Sequence, residues 1–145
     1  MNNTHRTAQC ALIVAAASAV SWAAKAVVFG LTGATDSITV DVLFLFGLVS
    51  QFGALVLLML TWTRNRGRVT RILAGVSAVP LGLALAMVTN TMIGAVEPAN
   101  SHWIWGELNL WLSAAAVLVA AFVTARRVVA GDQVAPESVS VAEPA

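Results

Sequence analysis

Lys25 and Glu107 are the residues whose chemistry stands out, because each is an ionisable side chain inside a long apolar run. A charge placed at the centre of a bilayer costs about 2.5–3.5 kcal/mol on the insertion scale, so each needs a partner or a purpose. Lys25 falls six residues before the end of its run, about 9 Å deep at 1.5 Å per helical residue. Glu107 lies four residues after Trp103, about 6 Å deep by the same rise. Asp41 opens a second run, and Asn90 and Asn109 fall in the outer thirds of two others. These five polar groups share one half of the bilayer, and only Gln51 comes near the midplane. Trp22 is one helical turn from Lys25 and Trp111 one turn from Glu107, so each pair shares a helix face. The pattern points to a cavity opening outward, walled by Lys25, Asp41, Asn90 and Glu107 with Asn109 at similar height, and floored by Trp22 and Trp111. There the ammonium group would meet an anionic group of a small molecule or lipid head, and the indoles an apolar one.

A structural role competes with this. Lys25 can pair with Glu107 or Asp41 and fix helix register, or extend to the outer headgroups. Ion or proton movement requires the polar path to continue inward. Below Trp22, Gln51 and Trp111 the runs are nearly all Ala, Val, Leu and Gly.

Enzymatic chemistry finds little support. His102 with Glu97, Glu107 and Asp41 makes a poor zinc set, since catalytic zinc sites usually present two or three N or S ligands. No glycine-flanked nucleophile occurs, and no stretch matches a cofactor motif. A non-enzymatic protein without cofactor or metal is therefore expected. The single cysteine, Cys10, excludes an intrachain disulfide. It precedes the apolar run, unlike a lipoprotein cysteine, and reads as an inert thiol, with palmitoylation the alternative.

The elements that must position these groups follow from composition. Of 145 residues, 59% are apolar and only 10% charged, against about 25% charged in a typical soluble domain. Too few polar residues exist to cover a water-facing surface, so lipid must take that role. About 20 apolar residues cross a bilayer core, and four runs qualify, at residues 10–31, 40–62, 72–93 and 103–125. Residues 1–9 are polar. Ala17-Ser18-Ala19 resembles a signal-peptide cleavage site, but the run continues past it, which favours an uncleaved anchor. Residues 128–145 are polar and acidic with little aromatic content, and are expected to form a disordered tail.

Orientation is read from the arginines. Arg64, Arg66, Arg68 and Arg71 lie between the second and third runs, and Arg126 and Arg127 follow the fourth. Arg6 precedes the first, while the segments around 32–39 and 97–101 hold acidic residues and no Lys or Arg. The positive-inside rule then puts both termini and the arginine hairpin in the cytoplasm. Topology accounts for these arginines without nucleic acid. Short connections make successive helices antiparallel neighbours, so the expected fold is all-α: an integral membrane four-helix up-down-up-down bundle. Gly75, Ala78, Gly82, Ala86 and Thr89 line one face of the third span, and Ser50 and Ala54 one face of the second. Such stripes serve internal packing or a partner helix. Pro80 interrupts the third span's hydrogen bonding and calls for a bend. Seven Arg beside one Lys, with much Ala, Val and Gly, point to a GC-rich bacterial coding sequence. The expected partners are the lipid bilayer and either a membrane-protein partner or further copies of the chain. The leading expectation is an accessory or interaction subunit, and the second is binding or transport through the outer polar pocket.

Overall fold

The structure, a computed structural model, describes residues 3–33, 37–98 and 103–134, with 132–134 described by their backbone alone. Four helices account for nearly all of them: α1 (Asn3–Thr32), α2 (Ile38–Trp62), α3 (Arg68–Gly94) and α4 (Ile104–Val134). All four are long and apolar enough to cross a membrane. The described residues contain no strand.

The helix ends follow from local chemistry. Gly33, at φ 62°, occupies the left-handed region after α1 and its N–H donates to the Phe29 carbonyl at 2.9 Å. Glycine takes that conformation without the penalty a Cβ carries. Ser37 caps α2, its hydroxyl accepting from the Val40 N–H at 3.2 Å. Asp41 follows in the first turn, where a carboxylate complements the positive end of the helix dipole. α3 is continuous through Pro80.

Packing depends on small residues. Ala11 and Ala15 of α1, Ala54 of α2, Ala78 of α3 and Ala121 of α4 form the centre of the core with Leu55, Leu58 and Val117. Lipid tails are as apolar as leucine, so helices in a bilayer gain by close van der Waals approach, and small side chains permit it. Two glycines make room for aromatic rings: a Cβ on Gly47 would stand 2.9 Å from the Trp22 indole, and one on Gly82 only 2.5 Å from the Phe52 ring. The third-span stripe is therefore spent largely on the inside, with Ala78, Gly82 and Thr89 buried. Gly75 meets nothing within 4 Å.

α1 packs mainly on α2 and α4, and α3 on α2 and α4, with α2 and α4 also touching across the bundle. Along α1 and α4 the partners run in opposing order. Lys25 meets Glu107, and one turn later Phe29 stacks edge-on against Trp103, with ring centroids 5.0 Å apart. The outward faces are covered by large apolar side chains such as Ile13, Val20, Phe46, Leu73, Leu83 and Met87. A water-facing surface rarely carries so continuous an apolar area, and lipid is its natural solvent.

Two boundaries differ from expectation. α1 starts at Asn3, inside the polar segment 1–9 that precedes the first apolar run, and Ala8 within that segment is buried. α4 runs on to Val134, so residues 128–134 of the expected disordered tail are helical. Val128, Val129 and Ala130 continue the apolar pattern, and Gly131 alone costs a helix only about 1 kcal/mol. The remainder of that tail lies outside the described residues. The stretch Ala17-Ser18-Ala19 is interior to α1, and the buried Ser18 hydroxyl donates to the Gly47 carbonyl at 3.0 Å.

Candidate functional site

The two charges of opposite sign meet. Lys25 Nζ lies 2.5 Å from Glu107 Oε1, and their side chains are only 10% and 15% exposed. α1 and α4 bring them together because each charge sits at the same height on a face already committed to the neighbouring helix. Phe44 of α2 closes the third side, with its ring centroid 5.8 Å from the ammonium nitrogen. At such depth the pair is held by Coulomb attraction little screened by water. Loss of one member would strand the other.

Directly beneath runs a chain of hydrogen bonds. The Trp22 indole N–H donates to Gln51 Oε1 at 3.1 Å, and Gln51 Nε2 donates to the Ser113 hydroxyl at 3.0 Å. Ser113 in turn donates to the Leu110 carbonyl at 2.9 Å. Trp22 is 1% exposed and stacks edge-on with Phe44 at 5.4 Å. One side chain from each of three helices is thus tied together. A small cavity of about 80 Å³ adjoins this chain, lined by Trp22, Gln51, Phe52, Gly82, Ala86 and Ser113 among others. Its volume admits a few waters, each needing roughly 10–15 Å³ by the same measure.

Of the residues expected to line an outward-opening cavity, the structure brings some together and leaves others apart. Lys25, Glu107 and Trp22 are brought together, but Asp41 and Asn90 are exposed and neither pairs with the charges. Trp111 and Trp22 line different spaces: with Trp103, Trp111 borders an apolar groove of about 440 Å³ against Ala23, Ala26 and Gly30 of α1. The physical reason is rotation about the helix axis. Residues at equal depth share a site only if their faces converge, and those of Asp41 and Asn90 do not. Four buried atoms lack hydrogen-bond partners among the described residues: His5 Nδ1 near the start of α1, and Glu107 Oε2, Asn109 Oδ1 and Trp111 Nε1 on α4.

Sequence reasoning placed Gln51 near the midplane but missed its partner Ser113. The available signal was a hydroxyl in an otherwise apolar stretch of α4 at Gln51's depth. It missed as well the bond from the Trp62 indole to the Thr124 hydroxyl, 3.0 Å, which ties α2 to α4 near the arginine-bearing end. Arg64, Arg66, Arg68, Arg71, Arg126 and Arg127 are all exposed. Arg126 also lies 4.5 Å over the Phe122 ring. Among the described residues no three His, Cys, Asp or Glu side chains gather as a metal site, and His102 lies outside them. Cys10 is exposed.

No protein-family model, curated protein or solved structure matches this chain.

Proposed function

We propose that the chain is a non-enzymatic multi-pass membrane protein, an accessory or interaction subunit whose helices alternate in direction and whose termini both face the cytoplasm. The observation that carries this reading is that two sets of buried polar groups pair with one another across the helices. Lys25 is engaged by Glu107, and Trp22, Gln51 and Ser113 by one another. Groups spent on internal cohesion are not available to hold a substrate. α3 supports the same reading, since only Ala78, Gly82, Thr89 and Ile93 of its 27 residues are buried. Its remaining surface is wide enough for another membrane helix. Purification of the full chain in mild detergent, followed by mass spectrometry, should yield a stoichiometric partner or an oligomer. A clean monomer carrying nothing else would overturn the proposal.

A second reading, ligand binding on the outer side, is favoured by one observation: the unpartnered Glu107 Oε2, Asn109 Oδ1 and Trp111 Nε1. Buried polar atoms are normally satisfied, and a ligand is one way to satisfy them. Under this reading a small molecule co-purifies with the wild-type chain and is lost from Glu107→Gln while the fold is kept. Retention of the molecule by that variant would exclude it.

A further inference from the structure

We infer that the arginine-bearing end of the bundle holds an anionic phospholipid, with its phosphate between Arg64 and Arg127 and its acyl chains in the groove between α2 and α4. The groove has a volume of about 1000 Å³, and its walls include Trp62, Ala116, Val119 and Thr124. Its lining is mainly apolar, with Thr4, Thr61 and Thr124 interspersed, and its basic groups are Arg64 from the turn after α2 and Arg127 from α4. From Ala116 to Arg127 is about 16 Å along the helix at 1.5 Å per residue, matching one leaflet's share of a hydrocarbon core roughly 30 Å thick. A surface groove of that length, opening at the headgroup level, has the shape of a lipid lying parallel to the helices. A transmembrane helix from another chain would have to continue past the mouth and bring its backbone against two guanidinium groups.

Charge decides the class of headgroup. Among the described residues neither Arg64 nor Arg127 has an ion-pair partner. Paired guanidiniums are suited to phosphate oxygens, which they bind through parallel N–H donors. Basic pockets between membrane helices on the cytoplasmic side are a recognised means of holding acidic lipid heads. Trp62 borders the groove at interfacial depth, its N–H committed to Thr124, so the indole face is presented at a fixed angle. Two lesser grooves share the design. One between α2 and α3 is lined by Arg68 and Arg71, and one between α1 and α4 by Arg126. Of these three grooves, the α2–α4 one alone joins arginines from two separate segments, the turn after α2 and α4, the arrangement that distinguishes a site from a merely basic surface.

The test is native mass spectrometry of the full chain from detergent micelles doped with equal phosphatidylglycerol and phosphatidylcholine. The wild-type protein should retain phosphatidylglycerol, one molecule per chain, in clear preference. Arg64→Gln with Arg127→Gln should weaken that retention by roughly thirty-fold, the loss expected for two interfacial charges. Arg68→Gln with Arg71→Gln, on the neighbouring groove, should change it several-fold less. Ala116→Trp fills the groove without touching either arginine, and should also expel the lipid. Equal retention of both lipids, indifference to the Arg64/Arg127 change, or full retention by Ala116→Trp would each overturn the proposal. So would a dimer in which lipid is absent, since a second copy would then fill the groove.

Discussion

At the scale of single residues, the Lys25–Glu107 pair makes a prediction that separates cohesion from ligand binding. Lys25→Leu leaves Glu107 buried with no cation, and breaking a buried pair in this way costs about 3–5 kcal/mol. The low end applies here, because Glu107 lies in the first turn of α4, where the positive end of the helix dipole still favours a carboxylate. Glu107→Leu should cost a similar amount. The double variant removes both charges and should recover most of the loss, giving a melting temperature in detergent near wild type. Additive losses would instead mean that each charge has a separate partner. Gln51→Leu tests the layer beneath. It strands the Trp22 N–H, an unsatisfied buried donor worth about 1–3 kcal/mol, and should lower thermal stability without altering any phospholipid retention at the other end. That Lys25 and Glu107 lie at similar depth was legible in the sequence, because depth can be counted from the ends of the apolar runs; the choice of Glu107 over Asp41 as partner was not. Nor was the exclusion of Asn90. Helices apolar on all sides carry no moment to tell an inward face from a lipid-facing one, so rotation about the axis is set by packing details such as Trp22 filling the space that Gly47 leaves.

Whole helices show the same division between what spacing reveals and what packing decides. All four helices were readable from apolar run length, and the end of α2 at Trp62 from the arginines that follow it. The extension of α4 to Val134 was hidden because hydropathy marks where a chain can leave lipid, whereas a helix ends only where its hydrogen bonding is broken. The small-residue stripe on α3 was visible as spacing, but whether it faces a neighbour inside or outside the bundle was not. Its two glycines now separate the two uses. Gly82→Ala puts a Cβ 2.5 Å from the Phe52 ring, so either the ring turns aside or α2 and α3 part. Overpacking of this kind costs about 1–3 kcal/mol. Gly75→Ala enters open space and should be neutral or slightly stabilising in detergent, since alanine favours helix by about 1 kcal/mol over glycine. If α3 carries a partner helix at Gly75, that same change should reduce co-purification while stability holds. Urea or thermal melts of the two variants, read beside pull-down yield, check both statements.

For the molecule as a whole, one local defect is informative about orientation. α3 begins with Arg68 and includes Arg71 in its opening turn, has no acidic residue there, and lacks a side-chain cap at Gly67. Cations at the positive end of a helix dipole are unfavourable by about 0.3–1 kcal/mol each. A sequence selected for helix stability alone would place Asp or Glu at these positions, as it does with Asp41 in α2. The arginines are accounted for if their task is to hold this end of the bundle on the cytoplasmic side, where loop charge governs insertion. Arg68→Glu with Arg71→Glu should therefore act with opposite sign in two measurements. In detergent, where no leaflet is inside, the melting temperature should rise slightly or stay level. In the cell, a reporter fused to Ala145 should change from uniformly cytoplasmic to mixed, because the hairpin then keeps only Arg64 and Arg66 against two new carboxylates. A lower melting temperature together with unchanged reporter orientation would sink the argument: the arginines would then be structural, and the direction of the chain would have to be set elsewhere.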